Sequence, residues 1–358
     1  MMDELGIECA SMGIPAAGPR QKKHVTRLCR EIADNHLTIR PNCGGRTVIA
    51  DVEHIVDVVQ GSGADVEACL FIGSSPIRQY AEGWKIDHLL RHTREAVGLA
   101  VSEGLRVMFI TEDTTRSAPR HLEVLLMAAI DAGASRVCLC DTVGSVTSQG
   151  VRNLILWVKS VLDSIGARVG IDWHGHRDRG LGLANSLAAI EAGATRVHGT
   201  VLGIGERVGN TATEELLVNL RMLGLLDRDL SSLPEFVAAV ADALGVPIPR
   251  SAPIVGRDAF RTATGVHAAA VVKARQRGED WVADRVYSAV PASWLGRRQQ
   301  IEIGPLSGRS NVIHFMRELG MTEDPQGIAE VLAAAKASRR VLTEREVLSI
   351  LEQPEVPR

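Results

Sequence analysis

The sequence predicts an α/β fold, a (β/α)8 barrel of the TIM type followed by a mainly helical C-terminal lid region. Short apolar runs alternate with helix-length amphipathic segments along the first part of the chain, and this alternation predicts parallel strands covered by helices. Polar side chains follow at the carboxyl end of every run after the first. A barrel collects such residues at one face, whereas a doubly wound sheet concentrates them at one switch point, so the barrel is favoured.

Seven strand–helix units are predicted in a row. Three of the strands follow a helix that ends in glycine, at Gly104, Gly133 and Gly193, where a left-handed cap turns the chain into the next strand. The predicted strands, in order, are IECASMGI (7–14), HLTIRPN (36–42), VEACLFIGSS (66–75), LRVMFITED (105–113), SRVCLCDTVG (135–144), ARVGIDWHG (167–175) and TRVHGTVLG (195–203).

The composition changes after about residue 225, where helical segments are predicted at 231–244 and 328–353. We therefore expect a barrel domain over 1–225 and helical lid subdomains over 226–358. Seven units do not close an eight-stranded barrel, so we also expect that the first βα unit, about 30–40 residues, is missing. The first and last predicted strands would then expose unpaired edges.

Charge and composition favour a small-molecule partner. The 358-residue chain has a formal net charge of -3, with acidic and basic residues interspersed, which indicates neither nucleic acid nor a membrane surface as partner. No apolar run approaches the ~18 residues of a membrane span, and the N-terminus does not resemble a signal peptide. The six cysteines form no CxxC pair, which is typical of reduced, buried thiols, and we expect a cytoplasmic protein.

Two histidines at the end of one strand predict a metal site. His174 and His176 alternate at period two, so both imidazoles point to the same side of the strand. The next predicted strand leads through a glycine-rich turn to Asn210, an oxygen donor. Two nitrogens and one oxygen suit a divalent metal that acts as a Lewis acid, with Mg²⁺, Mn²⁺ and Zn²⁺ as the candidates.

The segment that contains these residues resembles a known family. HGHRDRGLGLANSLAAIEAGATRVHGTVLGIGERVGN, from His174 to Asn210, is similar to the HxHND…GLGLAN…AGA…GERxGN signature of the isopropylmalate/homocitrate synthases, metal-dependent Claisen-condensing barrels. The resemblance covers about residues 3–345 and looks closest to the homocitrate synthase branch. Further matching segments are TEDTTRS (111–117), DTVG (141–144), ATGVHA (263–268) and IEIGPLSGRSNV (301–312).

The resemblance implies condensation of acetyl-CoA with a 2-oxo acid, first of all 2-oxoglutarate, followed by thioester hydrolysis. A metal held by His174, His176 and Asn210 would chelate the oxo acid through its ketone and carboxylate. A base must remove a proton from the acetyl methyl group. Glu112 is expected to take a catalytic, substrate-facing role, or else to be a solvated carboxylate that pairs with Arg116.

Further side chains are candidates for contact with the substrate. Thr142 and Thr200, at strand ends, are expected to hydrogen-bond its carboxylate or to cap the next helix. Arg40 and Arg116 are two more substrate-binding candidates. The family resemblance also implies that His267 and Tyr287 act as acid/base partners from a lid, commonly that of the neighbouring subunit. This implies a homodimer with lid exchange.

Other functions stay open at this stage. Condensation of the 2-isopropylmalate or citramalate synthase type differs only in the oxo acid, and one or two side chains are enough for such a change. A retro-aldol CoA lyase on a similar metal-bound barrel is the second alternative. A truncated, non-catalytic paralogue is the third.

Overall fold

A computed structural model describes residues 1–352 of the chain. The chain divides into two compact units, Met1–Asn219 and a second unit that begins at Leu220. Among the described residues, no helix is both long enough and apolar enough to cross a membrane. The last residue of the helix predicted over 328–353 lies outside the described residues.

The first unit is built on a seven-stranded parallel sheet, which confirms the predicted α/β architecture. Each strand pairs in parallel with the next strand along the chain, so the carboxyl ends of all strands lie at one edge, here called the carboxyl edge. The strands are β1 (Cys9–Gly13), β2 (Arg40–Arg46), β3 (Glu67–Gly73), β4 (Arg106–Glu112), β5 (Arg136–Asp141), β6 (Gly170–Gly175) and β7 (Arg196–Val197).

Helices connect the strands, and glycines end three of them as the sequence predicts. Gly104, Gly133 and Gly193 have φ values of +79°, +103° and +110°, a region in which side chains with a Cβ are strained. The helices are α1 (Pro19–Asp34), α2 (Ile49–Ser62), α3 (Pro76–Glu82), α4 (Ile86–Ser102), α5 (Pro119–Asp131), α6 (Ser148–Ser164), α7 (Gly182–Ala192) and α8 (Thr213–Met222).

Alternate residues of each strand face opposite sides of the sheet. Leu70, Phe109, Leu139 and Trp173 are fully buried and belong to the main apolar core, together with residues of the covering helices. Their neighbours along the strands face the other side, where a smaller cluster contains Cys69, Met108, Cys138 and Cys140. This period of two places apolar side chains on both faces, as expected for a parallel sheet that is covered by helices on its outer side.

The inner side of the sheet is concave. Nη1 of Arg196, on the last strand, lies 3.2 Å from Sγ of Cys9, on the first strand. The same guanidinium reaches Sδ of Met108, on β4, at 3.2 Å. Because one side chain touches the first, middle and last strands, the sheet curls around it as in a barrel.

A buried ionic cluster lies inside this curl. Arg196 donates to Glu67 at 2.7 Å and to Asp172, and Nε of Arg136 donates to Asp172 at 2.6 Å. The Asp172 side chain is fully buried and that of Glu67 is 5 % exposed. Burial alone would raise the pKa of Asp172, but His198 and the two arginines hold it below its usual value.

The predicted bounds of the second strand are wrong, and so is the predicted place of Arg40 near its carboxyl end. The strand begins at Arg40 instead of ending near it, so this side chain lies at the edge opposite the carboxyl edge, 4.0 Å from Glu8. Gly44 and Gly45 suggest a turn, yet they belong to the strand. A Cβ at Gly45 would lie 3.3 Å from atoms of Asp51 and Ile55, so a larger residue would press on helix α2.

The second unit is mainly helical, as predicted. Its two-stranded parallel sheet pairs β8 (Arg261–Thr262) with β9 (Gln300–Ile301), and apolar residues such as Val312 and Val331 form one of its cores. The predicted C-terminal helix is in fact two helices, because a Thr343–Glu346 capping box starts a new one. The helices are α9 (Leu233–Leu244), α10 (Gly265–Gln276), α11 (Asp280–Ala283), α12 (Arg309–Glu318), α13 (Pro325–Ala337) and α14 (Glu344–Leu351).

Replacing Arg196 tests how far the first unit depends on the buried ionic cluster. Arg196→Met leaves Glu67 and Asp172 with less compensation in a buried place, so we expect a loss of about 3–5 kcal/mol in the free energy of unfolding. The matched control is Arg152→Met, because the Arg152–Glu191 pair is exposed on both sides, and we expect it to cost less than about 1 kcal/mol. Urea unfolding followed by circular dichroism measures both, and equal losses would contradict the assignment.

Candidate functional site

The carboxyl edge of the sheet brings together most of the predicted site residues of the first unit. Glu112 ends β4, Thr142 follows β5 and His174 lies near the end of β6. His176 follows that strand by one residue, and Thr200 follows β7 by three. Since parallel strands present their carboxyl ends together, this edge is the place where a barrel carries its active site.

His174, His176 and Asn210 are neighbours at this edge. The two imidazole rings have centroids 5.4 Å apart, and Asn210 pairs with His176 in an antiparallel bridge. Nδ2 of Asn210 lies 3.4 Å from Nε2 of His174. Two ligands about 2.1 Å from one ion lie roughly 3.0–3.4 Å apart, so this spacing suits two ligands of one metal, and a half-turn of the amide presents Oδ1 in place of Nδ2.

The protonation of both histidines also suits metal binding. Burial, with the positive charges of His198 and His176, lowers the pKa of His174 to about 3. Burial and the charge of Arg207 lower the pKa of His176. Neutral imidazoles are the form that binds metals. Nδ1 of His176 is buried and has no hydrogen-bond partner within residues 1–352, which leaves this ring nitrogen free for a ligand.

The three candidate metal ligands, His174, His176 and Asn210, are neutral side chains of two chemical types. Within residues 1–352, no group of three or more histidine, cysteine, aspartate or glutamate side chains is arranged to hold a metal ion. The third donor here is the amide of Asn210, which lies outside those residue types. Two imidazoles and one amide oxygen fit a divalent cation that keeps positions open for a substrate.

The glycine-rich loop before Asn210 depends on its small residues and on Arg177. A Cβ at Gly205 would overlap Oδ1 of Asn210, and a Cβ at Gly209, whose φ is +97°, would overlap the carbonyl of Gly203. The Arg177 side chain donates from Nε to the carbonyl of Val208 at 2.7 Å. It also donates from Nη2 to the carbonyl of Leu202, at 3.2 Å. Arg177 therefore binds both sides of the loop that carries the amide.

Glu112 pairs with a different arginine from the one considered in the sequence. Arg116 donates to both oxygens of Asp113, at 2.8 and 2.7 Å, so the alternative in which it pairs with Glu112 is wrong. Nε of Arg78 lies 3.6 Å from Oε1 of Glu112 and is buried without a hydrogen-bond partner in the described chain. Burial raises the pKa of Glu112, although the charge of Arg78 opposes this.

The two predicted threonines differ in their bonding. Oγ1 of Thr142 accepts from the backbone N–H of Asp113 at 2.8 Å, so it links two neighbouring strand ends. Oγ1 of Thr200 is buried and without a partner in residues 1–352, and it makes no capping bond to the short helix that follows it. Of the two threonine hydroxyls, that of Thr200 is therefore the one without a hydrogen bond to the described chain.

Two residues of the site were not predicted from the sequence. His198 lies with Nδ1 3.3 Å from Nδ1 of His174, and Arg78 lies against Glu112. The spacing of Arg196 and His198 repeats the period of two of Asp172 and His174 on the adjacent strand, which is a signal for a common inner face. No local pattern indicates Arg78, because its contact with Glu112 depends on the pairing of β3 with β4.

His267 and Tyr287 belong to the second unit. Their rings are stacked, with centroids 3.9 Å apart and an angle of 25° between the planes. His267 is exposed and Tyr287 is 47 % exposed. The structure therefore brings these two residues together as a stacked imidazole and phenol pair that is open to solvent.

Comparisons with known proteins agree with this fold. Homocitrate synthase AksA of Methanopyrus kandleri is 32% identical over 95% of this chain and 81% of its own length. A probable 2-isopropylmalate synthase of Ignicoccus hospitalis is 33% identical over 93% of the chain and 79% of its own length. The hydroxymethylglutaryl-CoA lyase structure from Pseudomonas aeruginosa shares the fold, with a TM-score of 0.54, 19% identity and coverage of 69% of this chain and 85% of that one.

The family model described as HMGL-like matches residues 1–240, which include every strand of the parallel sheet and the residues of the carboxyl edge. The synthases of Methanopyrus and Ignicoccus match across both units of the chain. The chain belongs to the HMGL-like family, in the group of its homocitrate and isopropylmalate synthases.

Proposed function

We propose that the protein is an acyltransferase that condenses acetyl-CoA with a 2-oxo acid and hydrolyses the thioester, with 2-oxoglutarate as the first candidate. The observation that carries the proposal is the set of two neutral histidines and an amide at the carboxyl edge, the same edge at which β4 ends on Glu112. The names of the matched relatives, a homocitrate synthase and a probable 2-isopropylmalate synthase, support it.

The residues fit a divalent cation, Mg²⁺, Mn²⁺ or Zn²⁺, and His174, His176 and Asn210 would hold it. When bound, the ion supplies a Lewis acid that polarises the ketone of the oxo acid. The loop bonds made by Arg177 keep the amide of Asn210 beside His174. In this proposal the Thr200 hydroxyl, which is buried and has no partner in the described chain, donates to the carboxylate of the oxo acid, and Thr142 lines the same edge.

Glu112 is proposed as the group that moves the proton. A carboxylate whose pKa is raised by burial is a stronger base than an exposed one once it is ionised. Arg78, 3.6 Å away, limits this rise and orients the carboxylate. Arg116 is held by Asp113 and Arg40 lies at the opposite edge, so neither is retained as a substrate-binding residue.

The second unit, which begins at Leu220, is proposed to act as a lid. His267 and Tyr287 form a pair of groups able to donate and accept protons, and their stacking holds both rings on one surface. Exposure of such a pair is consistent with a role in a site that it completes on closure. We propose a homodimer in which each lid serves the partner subunit, as the family resemblance implies.

A thiol-release assay tests the proposed reaction. Full-length protein loaded with Mn²⁺ should release CoA from acetyl-CoA only when a 2-oxo acid is present, and a panel of 2-oxoglutarate, 2-oxoisovalerate and pyruvate ranks the substrates. The double variant His174→Ala/His176→Ala removes the two imidazole ligands, so we expect roughly 100-fold or greater loss of this rate, together with loss of bound Mn²⁺.

The matched control is His24→Ala, because His24 is exposed on α1. It should keep both the activity and the metal. The proposed reaction is wrong if no oxo acid stimulates CoA release, and the metal site is wrong if the double variant retains full activity and full metal content.

The pH dependence of the rate tests the role of Glu112. If the carboxylate form is the base, kcat/KM falls as the pH drops through the pKa of Glu112. Arg78→Gln removes a positive charge that lowers this pKa, so the acid limb of the profile should move to higher pH. Glu112→Gln should reduce kcat by about 10²–10⁴-fold.

Arg91→Gln is the control for the pH profile, since the Arg91–Glu95 pair is an exposed helix-surface pair. It should leave the acid limb in place. An acid limb that stays fixed in Arg78→Gln, or moves to lower pH, would show that Glu112 is not the group that titrates.

A further inference from the structure

We propose that Arg78 selects the oxo acid. Its guanidinium binds the distal carboxylate of a dicarboxylic 2-oxo acid, of the class of 2-oxoglutarate, and so disfavours oxo acids whose tail is apolar. The inference deepens the proposed function and rests on it for the keto end of the substrate. Its basis is an arginine whose stem is held on the inner side of the sheet and whose outer end is open.

Arg78 lies on the inner side of the sheet, over the end of β3. Cys69 belongs to the inner cluster, and alternate residues of a strand share one face, so position 73 faces inward as well. Gly73 has no side chain, and a Cβ there would overlap Cγ of Arg78. The arginine therefore fills the inward space that the glycine leaves free.

The stem of Arg78 stands beside Glu112. Gly73 pairs with Glu112 in the register of β3 and β4, and Nε of Arg78 lies 3.6 Å from Oε1 of that carboxylate. The ring of Trp84 lies 5.7 Å from Cζ of the guanidinium, within the range of a cation–π contact. These contacts fix the direction of the side chain before a substrate binds, which reduces the entropy lost on binding.

The outer end of the guanidinium is less restrained. Nε is buried, yet the side chain as a whole is 42 % exposed, so the exposed part is the end that carries the two Nη nitrogens. Nη1 lies 2.6 Å from Oε1 of Glu82, four residues along the chain. Such exposed pairs on a helix surface contribute little, so a carboxylate ligand can replace Glu82. Two parallel bonds from the Nη nitrogens suit a carboxylate.

Three other arginines of the carboxyl edge are already held by the protein. Arg116 and Arg207 each donate from Nε to an aspartate, and Arg177 donates from Nε to a carbonyl of the glycine-rich loop. Nε of Arg78 has no hydrogen-bond partner within residues 1–352. Of these four arginines, Arg78 is therefore the one best able to bind a ligand.

The surface between Arg78 and the metal ligands suits a short carbon chain. Met108, Ile110 and Cys140, on the two strands between β3 and β6, belong to the inner apolar cluster. β3 and β6 are three places apart in the sheet, roughly 14 Å at about 4.8 Å per strand, and the curl brings their inner side chains closer. In this proposal the keto end lies at His174, the methylenes lie over the apolar cluster and the distal carboxylate reaches Arg78. An apolar tail would remove water from the guanidinium without giving it a partner, which costs free energy.

The ratio of kcat/KM for 2-oxoglutarate to kcat/KM for 5-methyl-2-oxohexanoate measures this selection. The second compound has an isopropyl group where the first has its distal carboxylate, so the keto end and the length are the same. Any effect of Arg78 on Glu112 acts on both compounds and cancels in the ratio. Arg78→Met keeps the stem and removes the charge, and we expect the ratio to fall about 10–100-fold, the range for loss of hydrogen bonds to a charged group.

Two further variants complete the comparison. Arg78→Lys keeps a positive charge but binds a carboxylate as a point charge, so its ratio should lie between those of the wild type and Arg78→Met. Arg91→Met is the matched control, because the Arg91–Glu95 pair is exposed on helix α4, and it should have the ratio of the wild type.

Calorimetric binding to Mn²⁺-loaded protein without acetyl-CoA gives a second measurement, in which no reaction occurs. The wild type should bind 2-oxoglutarate more tightly than 5-methyl-2-oxohexanoate. Arg78→Met should weaken the binding of 2-oxoglutarate about 10–100-fold and leave the binding of the isopropyl compound nearly unchanged, because that compound makes no bond to the guanidinium.

The two measurements separate this proposal from the proposed function. If Arg78→Met slows both compounds equally, Arg78 serves Glu112 alone, and the selection is refuted while the condensation stands. A wild-type protein that prefers the isopropyl compound, or that binds neither compound, also overturns the proposal. If 2-oxoglutarate binds with the stated dependence on Arg78 but no CoA is released, the selection holds and the proposed condensation fails.

Discussion

The buried carboxylate of Asp172 is the constraint on which the arrangement of the first unit depends. It accepts from two arginines of neighbouring strands and from His198, so β5, β6 and β7 are tied together below the site. A buried charge left without partners is costly, whereas a paired and hydrogen-bonded one tolerates only a narrow set of geometries. The position of Asp172 thereby fixes the side chains that stand one layer higher, His174 and His198.

Alternate residues of a strand share one face, so the buried ionic cluster also determines which side chains face inward at the carboxyl edge. Asp172 and His174 alternate on β6 in the same way as Arg196 and His198 alternate at β7, and the two strands pair Asp172 with Arg196. A slip of one residue in either strand would turn the two residues of that strand toward the covering helices. The ionic cluster therefore fixes the register of these two strands, and the histidines above it form the surface that the proposed reaction uses.

Local patterns allowed much of this to be predicted, and cross-strand contacts account for what was missed. The parallel strands, the glycine caps and the pairing of His174 with His176 follow from spacing within one segment. Arg40 was misplaced because the apolar run HLTI precedes it, whereas the strand itself begins at Arg40 and includes Gly44 and Gly45, beside which α2 packs closely. The contacts of Arg78 with Glu112 and of His198 with Asp172 depend on which strands are neighbours, and one segment cannot show this. The Asp113–Arg116 pair, in contrast, lies within one segment.

We propose that the buried ionic cluster orients His174 toward a metal position that it shares with His176 and Asn210. The most direct test is a crystal structure of the Mn²⁺-loaded protein with anomalous scattering to locate the metal. The account predicts one strong peak about 2.0–2.3 Å from Nε2 of His174, a nitrogen of His176 and the amide oxygen of Asn210, with His198 still between His174 and Asp172. A peak elsewhere, or a peak bound to His198 itself, would contradict it.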